Sequence, residues 1–499
     1  MLASVRSATL IGVDGQPVTV EIHVSSGLPS YSVVGLPDTA VREARDRVRA
    51  ALLSSGTSWP MKRITVNLAP GGVRKSGSGF ELAVALGLLG AEDELPAGVL
   101  DGVGVLGELG LDGSVRPVPG VLALVDALAS AGVESVIVPV DNAPEASLVP
   151  HVRVRAARSL GELRGCLKGE EAWPDWSDPN DDDEDPIDDE PRDLADVRGL
   201  AFARQALEVA AAGGHHLLFV GPPGTGKTML ARRLDTIVPP LEHGEALEVT
   251  RIHSAAGHAT SGRLIRARPF RAPHHTATTP ALVGGGSRRP APGEVTLAHR
   301  GTLFLDELGE FAPTTLDALR QPIEERVVRI SRTPVSLSFP AAFQLVACTN
   351  PCPCGLGEPG CRCTEANRAR YRRRLSAPLL DRFDLRMRVT GPEPNDRQGE
   401  CSDSVRARVI AAHDRQRARY SDWPWSCNAH VAAGAVNRLV PLSADALTAW
   451  RELIETRVLT GRGAARVRRV ARTLADLDDA PGITAAHVET AATLRSDVP

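Results

Sequence analysis

At 499 residues the chain exceeds one ordinary domain, and two or three are expected. Its 42% apolar content can build real cores, which excludes global disorder, and a formal net charge of −4 carries little information because the charges are unevenly spread. There is no apolar run of about eighteen residues and no charged, apolar, cleavable start, so neither a membrane span nor a signal peptide is expected and the chain reads as cytoplasmic.

The first segment, residues 1–168, mixes short elements. Strands are predicted at Val18–Val24, Ile64–Asn67 and Val136–Pro139, and helices at Asp38–Leu53, Glu81–Leu89 and Gly120–Ala131. Such a mixture over about one domain's length predicts an α/β sandwich. Two stretches, VNLAPGGVRKSGSGFELAVAL and GELGLDGSVRPVPGVLALVDAL, resemble the Lon-protease-like α/β fold. The catalytic version of that fold pairs a serine with a downstream lysine, and such a nucleophile needs its base within hydrogen-bond reach. Ser76 and Ser78 are present, but the next lysine is Lys168, outside the matching helix. A non-proteolytic relative is therefore expected. Residues 169–193 follow, with eleven acids and one arginine between Asp175 and Asp193. Prolines and like charges keep such a tract extended, so it reads as a linker.

Residues 194–392 carry the densest chemistry. His215–Leu234, HHLLFVGPPGTGKTMLARRL, reads as a buried strand over Leu217–Val220, a glycine-rich loop, and a helix from Met229. The loop fits G-x-x-x-x-G-K-[ST]. Gly221, Gly224 and Gly226 let successive backbone N–H groups turn inward around a polyphosphate, with Pro222, Pro223, Thr225 and Met229 completing the cradle. Lys227 is expected to reach the β/γ-phosphates and the Thr228 hydroxyl to ligate Mg²⁺, while the helix N-terminus adds its positive dipole end. The chain has four lysines against fifty-three arginines, and Lys227 is the only lysine after Lys168. A slim, point-like ammonium stands where that shape is needed. Nucleotide binding follows, with ATP and Mg²⁺ as the expected cofactors.

Further on, GTLFLDELGEF places a predicted strand, Thr302–Leu305, directly before Asp306 and Glu307. Downstream of a P-loop this is a Walker B pattern, in which Asp306 holds the Mg²⁺ shell and Glu307 polarises the attacking water. A strand at Phe343–Ala347 runs into CTNPCPCG, and Asn350 is the candidate sensor that orients the lytic water. Between them, ERVVRISRTPVSLSFPA alternates around a turn at Thr333–Pro334 and predicts an inserted β-hairpin. Another insertion, RPFRAPHHTATTPALVGGGSRRPAPGEV, is rich in Arg, His and Gly.

Together GPPGTGKT, FRAPHHT…LVGGG, LFLDELGEF, CTNPCPCG and LSAPLLDRFDL resemble the Mg-chelatase-like AAA+ ATPases, specifically the YifB/ComM group. That group's order of Lon-like domain, acidic linker and motor matches the whole chain. Two positions depart: Leu200 stands where the group usually has Gln, and Ala377 where it usually has Gly. The resemblance implies a ring, usually a homo-hexamer, with ATP sandwiched between neighbours. It implies that Arg382 is the arginine finger, a planar, always-charged donor that offsets charge developing on a neighbour's transferred phosphoryl group. In LTGRGAARVRRVARTLADL, Arg462 matches the sensor-2 contact to the γ-phosphate, with Arg466 second. The hairpin matches an insertion whose tip projects into the ring channel. Arg332 near the turn and Arg329 behind it are therefore expected to touch DNA phosphates without reading sequence, and Arg288 and Arg289 likewise.

Five of the eight cysteines lie between Cys348 and Cys363, unlike a secreted disulfide framework. Cys352, Cys354, Cys361 and Cys363 form C-x-C…C-x-C within twelve residues. Four such thiolates can close a tetrahedral Zn²⁺ shell, although cytosolic thiols also cluster without metal. Residues 393–499 predict an all-α lid with helices at Ser402–Tyr420, Ala444–Thr456, Ala464–Leu477 and Ile483–Leu494. By resemblance the leading function is a ring-forming, ATP-driven DNA motor that moves branch points during recombination or uptake. The alternatives are an ATPase that remodels a protein partner for Mg²⁺ insertion into porphyrin, and an ATP-dependent chaperone or protease, the last weakened by the missing Ser–Lys pair.

Overall fold

Leu2–Ile11 and Asp14–Ser25 pair antiparallel, with Val5 opposite Val20 and Ile11 opposite Asp14, across a tight turn in which Gly12 takes φ 68°. The computed structural model describes residues 1–499 except 73, 74, 76, 78, 177–191, 259–261, 287–290, 333–334, 392–395, 457–459 and 496–499. It divides into two compact units, Met1–Asp185 with Glu242–Arg266, and Pro186–Leu241 with Ala267–Pro499.

In the first unit the hairpin sits inside a seven-stranded mixed sheet. The order is Ser30–Val34, Arg63–Ala69, Asp14–Ser25, Leu2–Ile11, Val103–Val105, Ser135–Pro139, Arg153–Ala157. Val5, Val20, Ile22 and Val66 bury one core with Val48 and Leu52 of helix Thr39–Ser54 and with helix Glu81–Ala91. The expected α/β sandwich is present. The helix predicted from Asp38 begins one residue later because Asp38 is its cap, accepting the Val41 N–H at 2.9 Å. Glu81 is fully buried where its helix meets the core, so its carboxylate needs partners. Arg47 donates to it at 2.7 Å and the Leu109 N–H at 2.9 Å. Burial pushes the Glu81 carboxyl up, and the Arg47 hydrogen bond opposes that rise.

Lys75 is also buried; its ammonium donates to the Pro70 carbonyl, and burial pushes its pKa down. Ser76 and Ser78 lie outside the described residues. Residues 242–266 belong to this unit although they interrupt the motor sequence. Helix His243–Ala255 packs against Val121–Ser130, and Arg251 pairs with Asp14 at 3.6 Å and Asp126 at 3.5 Å.

The second unit is built on five parallel strands in the order Phe270–Arg271, Thr302–Leu305, Gln344–Thr349, Leu217–Val220, Leu385–Arg388. Leu217–Val220 and Thr302–Leu305 are buried at every position, as continuous apolar runs in a covered parallel sheet should be. The strand predicted at Phe343–Ala347 is Gln344–Thr349. The helix predicted from Met229 is instead two short helices, Lys227–Ala231 and Leu234–Ile237. His216, just before the P-loop strand, is pushed down to about 4 by burial, and its Nδ1 accepts the Leu345 N–H at 3.0 Å. The inserted hairpin is Val327–Arg332 paired with Val335–Pro340; its predicted turn at Thr333–Pro334 lies outside the described residues.

The all-α lid also forms. Ser402–Tyr420 and Ala444–Thr456 fall where predicted, and Gly461–Leu477 starts early because Thr460 caps the Gly463 N–H at 3.1 Å. The final helix is Ala485–Thr493. Asp476, fully buried, is held by Arg419 at 3.0 Å, Asn428 at 2.9 Å and Arg472 at 2.9 Å. Among the described residues no helix is long and apolar enough to cross a membrane.

Glu81→Ala leaves the Arg47 guanidinium and the Leu109 N–H without their acceptor, and is expected to cost about 2–3 kcal/mol in urea unfolding. A loss within about 0.5 kcal/mol would mean the pair is structurally idle.

Candidate nucleotide site

Register decides what meets at the sheet's edge. Val220 lies opposite Thr349, and Leu305 opposite Ala347, so neighbouring strand ends deliver Gly221, Asp306 and Asn350 to one crevice. Open parallel sheets bind ligands at that carboxyl edge. Gly221 has no room for a side chain, because a Cβ there would lie 2.2 Å from the Val389 carbonyl oxygen. Gly224 and Gly226 take φ 76° and 84°, the left-handed region that lets the loop Gly221–Gly226 curl inward. Thr225 Oγ1 locks the curl by donating to the Pro222 carbonyl at 2.9 Å. Pro223 abuts Gly355, where an added Cβ would lie 2.8 Å from its ring, and Met229 is exposed on the helix beyond.

Lys227 opens that helix and is buried. Its ammonium donates to the Gly221 and Pro222 carbonyls at 2.7 and 2.6 Å, with Asn350 Oδ1 at 3.5 Å. Burial pushes its pKa below the ordinary lysine value. A cation withdrawn from water and bonded to neutral oxygens is the complement of an anion, so the cradle fits a polyphosphate. Thr228 Oγ1 donates to Asp306 Oδ2 at 2.9 Å, and the Glu307 N–H donates to Asp306 Oδ1 at 2.9 Å. A hydroxyl and a carboxylate side by side are the hard oxygen donors that Mg²⁺ accepts beside phosphate oxygens and water. Thr228 and Asp306 would hold that ion, which supplies charge neutralisation when bound. Glu307 stands beside it with a half-exposed carboxylate and a left-handed backbone, φ 51°, rare for a residue with a side chain.

The arginines are held differently. Arg382 is buried: its guanidinium pairs with Glu324 at 2.7 Å and donates to the Arg320 and Pro378 carbonyls. Arg462 is exposed and lies 3.6 Å from the same Glu324 oxygen. Arg466 is better anchored, between Asp384 at 3.1 Å and Asp381 at 3.4 Å. Arg329 is exposed on the hairpin and pairs with Glu325, and Arg332 follows in the same strand. Arg288 and Arg289 lie outside the described residues.

Two participants went unread in the sequence. His275 Nδ1 lies 3.3 Å from Glu307 Oε2. The only sequence hint was a histidine pair just past the edge strand. Glu324 gathers two arginines from distant segments, and no local pattern marks it. The four cysteines do converge. Their sulfurs lie within 4.8 Å of one another, and all four are free thiols.

Fold and site together define a P-loop ATPase of the AAA+ type. Family models agree over nearly the whole chain: "Subunit ChlI of Mg-chelatase" matches residues 20–142, "Magnesium chelatase, subunit ChlI" 193–397, and its C-terminal model 399–495. The chain is 42% identical to YifB of Escherichia coli over 99% of its length and 97% of that protein's. It is 40% identical to competence protein ComM of Haemophilus influenzae over 100% of its length and 98% of that protein's. A part-length likeness, 30% identity over 28% of this chain and 26% of the other, links it to Lon protease 2 of Bacillus subtilis. The chain belongs to the YifB/ComM family of Mg-chelatase-like AAA+ proteins, whose cofactors are ATP and Mg²⁺.

Lys227→Ala is expected to abolish ATP binding in a fluorescent-nucleotide titration. Glu307→Gln should bind ATP but turn it over at least about a hundredfold more slowly. Turnover at the parental rate by Glu307→Gln would contradict the role given to that carboxylate.

Proposed function

We propose that the protein is a ring-forming motor of the cytoplasm that couples ATP hydrolysis to DNA remodelling, such as the movement of branch points. The observation that carries this reading is the position of the hairpin. It follows helix Arg320–Glu325 and leads into the strand that delivers Asn350. A segment spliced between Glu307 and Asn350 is tied to the nucleotide residues at both ends. Arg329 is exposed on it in a surface ion pair, and such pairs, worth about 0.2–1 kcal/mol, are readily exchanged for DNA phosphates. The Haemophilus relative is named a competence protein, which supports DNA as the polymer. In a homo-hexamer, Arg382 completes the site of a neighbour and Arg462 senses the γ-phosphate.

The four cysteines hold a structural Zn²⁺. Zn–S bonds of about 2.3 Å set sulfur–sulfur edges of about 3.8 Å in a tetrahedron. The edges between Cys352, Cys354 and Cys361 are 3.3, 3.5 and 3.9 Å. Backbone N–H groups also point at sulfur, from Cys354 to Cys363 at 3.3 Å and from Gly357 to Cys352 at 3.4 Å.

ATPase rates measured with and without forked and four-way DNA, with Glu307→Gln as the blank, should rise with DNA; an unchanged rate argues for a protein partner instead. Arg332→Ala should lower DNA movement more than basal ATPase and flatten the salt dependence of DNA binding by about one charge per subunit. Equal losses in both activities would remove the hairpin from the DNA path. Elemental analysis of the purified protein should find one zinc per chain, lost in Cys354→Ser. A metal-free but fully folded parental protein would rule the zinc out.

A further inference from the structure

Asn350 stands one residue past the last strand pairing, which sets Thr349 opposite Val220. Pro351 follows, and a proline has no N–H with which to anchor the next step of the chain. Thr349 supplies a hold. Its hydroxyl donates to the Asn350 carbonyl at 3.4 Å, and its own carbonyl accepts the Gly221 N–H at 3.2 Å. That hydroxyl also lies 3.2 Å from the Tyr371 phenol oxygen. A hydroxyl has one proton; this one goes to Asn350, so the phenol is the donor to Thr349. Burial pushes the Tyr371 phenol up, against the Thr349 hydrogen bond that lowers it, and so keeps it protonated.

The helix that carries Tyr371 has little other reason to pack. In Glu365–Arg374, EANRARYRRR, Tyr371 is the buried side chain, and the sequence offers no second large apolar residue. Thr364 caps the helix by accepting the Asn367 N–H at 3.3 Å. The ring presses on Gly309, where an added Cβ would lie 2.3 Å from the phenol oxygen and 2.5 Å from Cζ. Arg374, at the end of the same helix, donates to the Gly309 carbonyl at 3.0 Å and to Glu310 at 2.9 Å. One aromatic ring thus fills the gap between the turn after Walker B and the strand tip that leads to Asn350.

We propose that Tyr371 is a positioning residue for ATP hydrolysis that acts through Thr349 on Asn350. Its phenol fixes the Thr349 hydroxyl, and that hydroxyl fixes the Asn350 backbone. The Asn350 amide, whose Oδ1 lies 3.5 Å from the Lys227 ammonium, is thereby held at the phosphate end of the crevice. An amide that orients water works only while its direction is fixed, and a misplacement of about 1 Å can cost about a hundredfold in rate. Tyr371 bonds to Thr349, whereas Lys227, Thr228 and Asp306 are held by other partners, so the cradle stands without the phenol. The inference rests on the ATPase reading of the site and is independent of what the motor moves.

Steady-state ATPase kinetics on the full-length protein test it, with ATP affinity taken from a fluorescent-nucleotide titration. Tyr371→Phe keeps the ring against Gly309 and removes the donor. Its kcat should fall about three- to tenfold, the range that one hydrogen bond supports, with ATP affinity unchanged. Thr349→Val breaks the same relay and should match it, and the double variant should be no slower than the slower single one. Added to Asn350→Ala, Tyr371→Phe should cost nothing further. A parental kcat in Tyr371→Phe overturns the inference. So do losses that multiply in either double variant, which mark a general structural role, and so does weakened ATP binding at unchanged kcat. A parental protein without ATPase activity removes the ATPase reading and this inference together, whereas a parental rate in Tyr371→Phe removes this inference alone.

Discussion

The structure depends on the alignment of three parallel strands. Leu217–Val220, Gln344–Thr349 and Thr302–Leu305 run side by side with ends level enough that Lys227 and Thr228, Asn350, and Asp306 share one crevice. A slip of one residue would turn every side chain of a strand to the opposite face and separate these groups. Continuous burial of the two shorter strands prevents the slip, because any shift would expose apolar side chains or bury polar ones. The His216–Leu345 hydrogen bond pins the strands at the end opposite the site. The core therefore sets the geometry of the chemistry.

Much of this was legible because its causes are local. The P-loop glycines are required by backbone shape, and the all-apolar strands announce themselves by composition. Asp306 and Glu307 follow such a strand directly. The four cysteines are close in sequence and remain close in space. What sequence hid depends on distant contacts. His275 reaches Glu307 across the sheet edge. Glu324 gathers Arg382 and Arg462 from segments far along the chain. The helical segment after the P-loop breaks after Ala231 into two short helices, and nothing in its composition signals the break. Residues 242–266 were equally opaque, since Arg251 finds Asp14 and Asp126 only once the first unit's hairpin and helix are assembled.

The charges divide into two groups. Lys227 is alone among the described cations in sitting within the P-loop and bonding to its carbonyls. Arg329, Arg382, Arg462 and Arg466, which family resemblance aims at phosphates, are instead engaged by acids of their own chain. Their energetics differ. The exposed Arg462–Glu324 contact is worth at most about 1 kcal/mol and is easily traded. Arg382 is buried with three partners, so moving it leaves polar groups unsatisfied. A rigid cradle for phosphate and a reserve of tethered arginines are the two halves that nucleotide must bring together.

The central claim is that Thr228 and Asp306 form a metal-assisted phosphate site with Lys227. The most direct test is the affinity for ATP as a function of free Mg²⁺ in the parental protein and in Thr228→Val. The structure predicts that Mg²⁺ tightens ATP binding in the parental protein, and that the valine variant keeps the metal-free affinity but loses the tightening. An equal Mg²⁺ effect in both would mean that the hydroxyl–carboxylate pair is not where the metal sits.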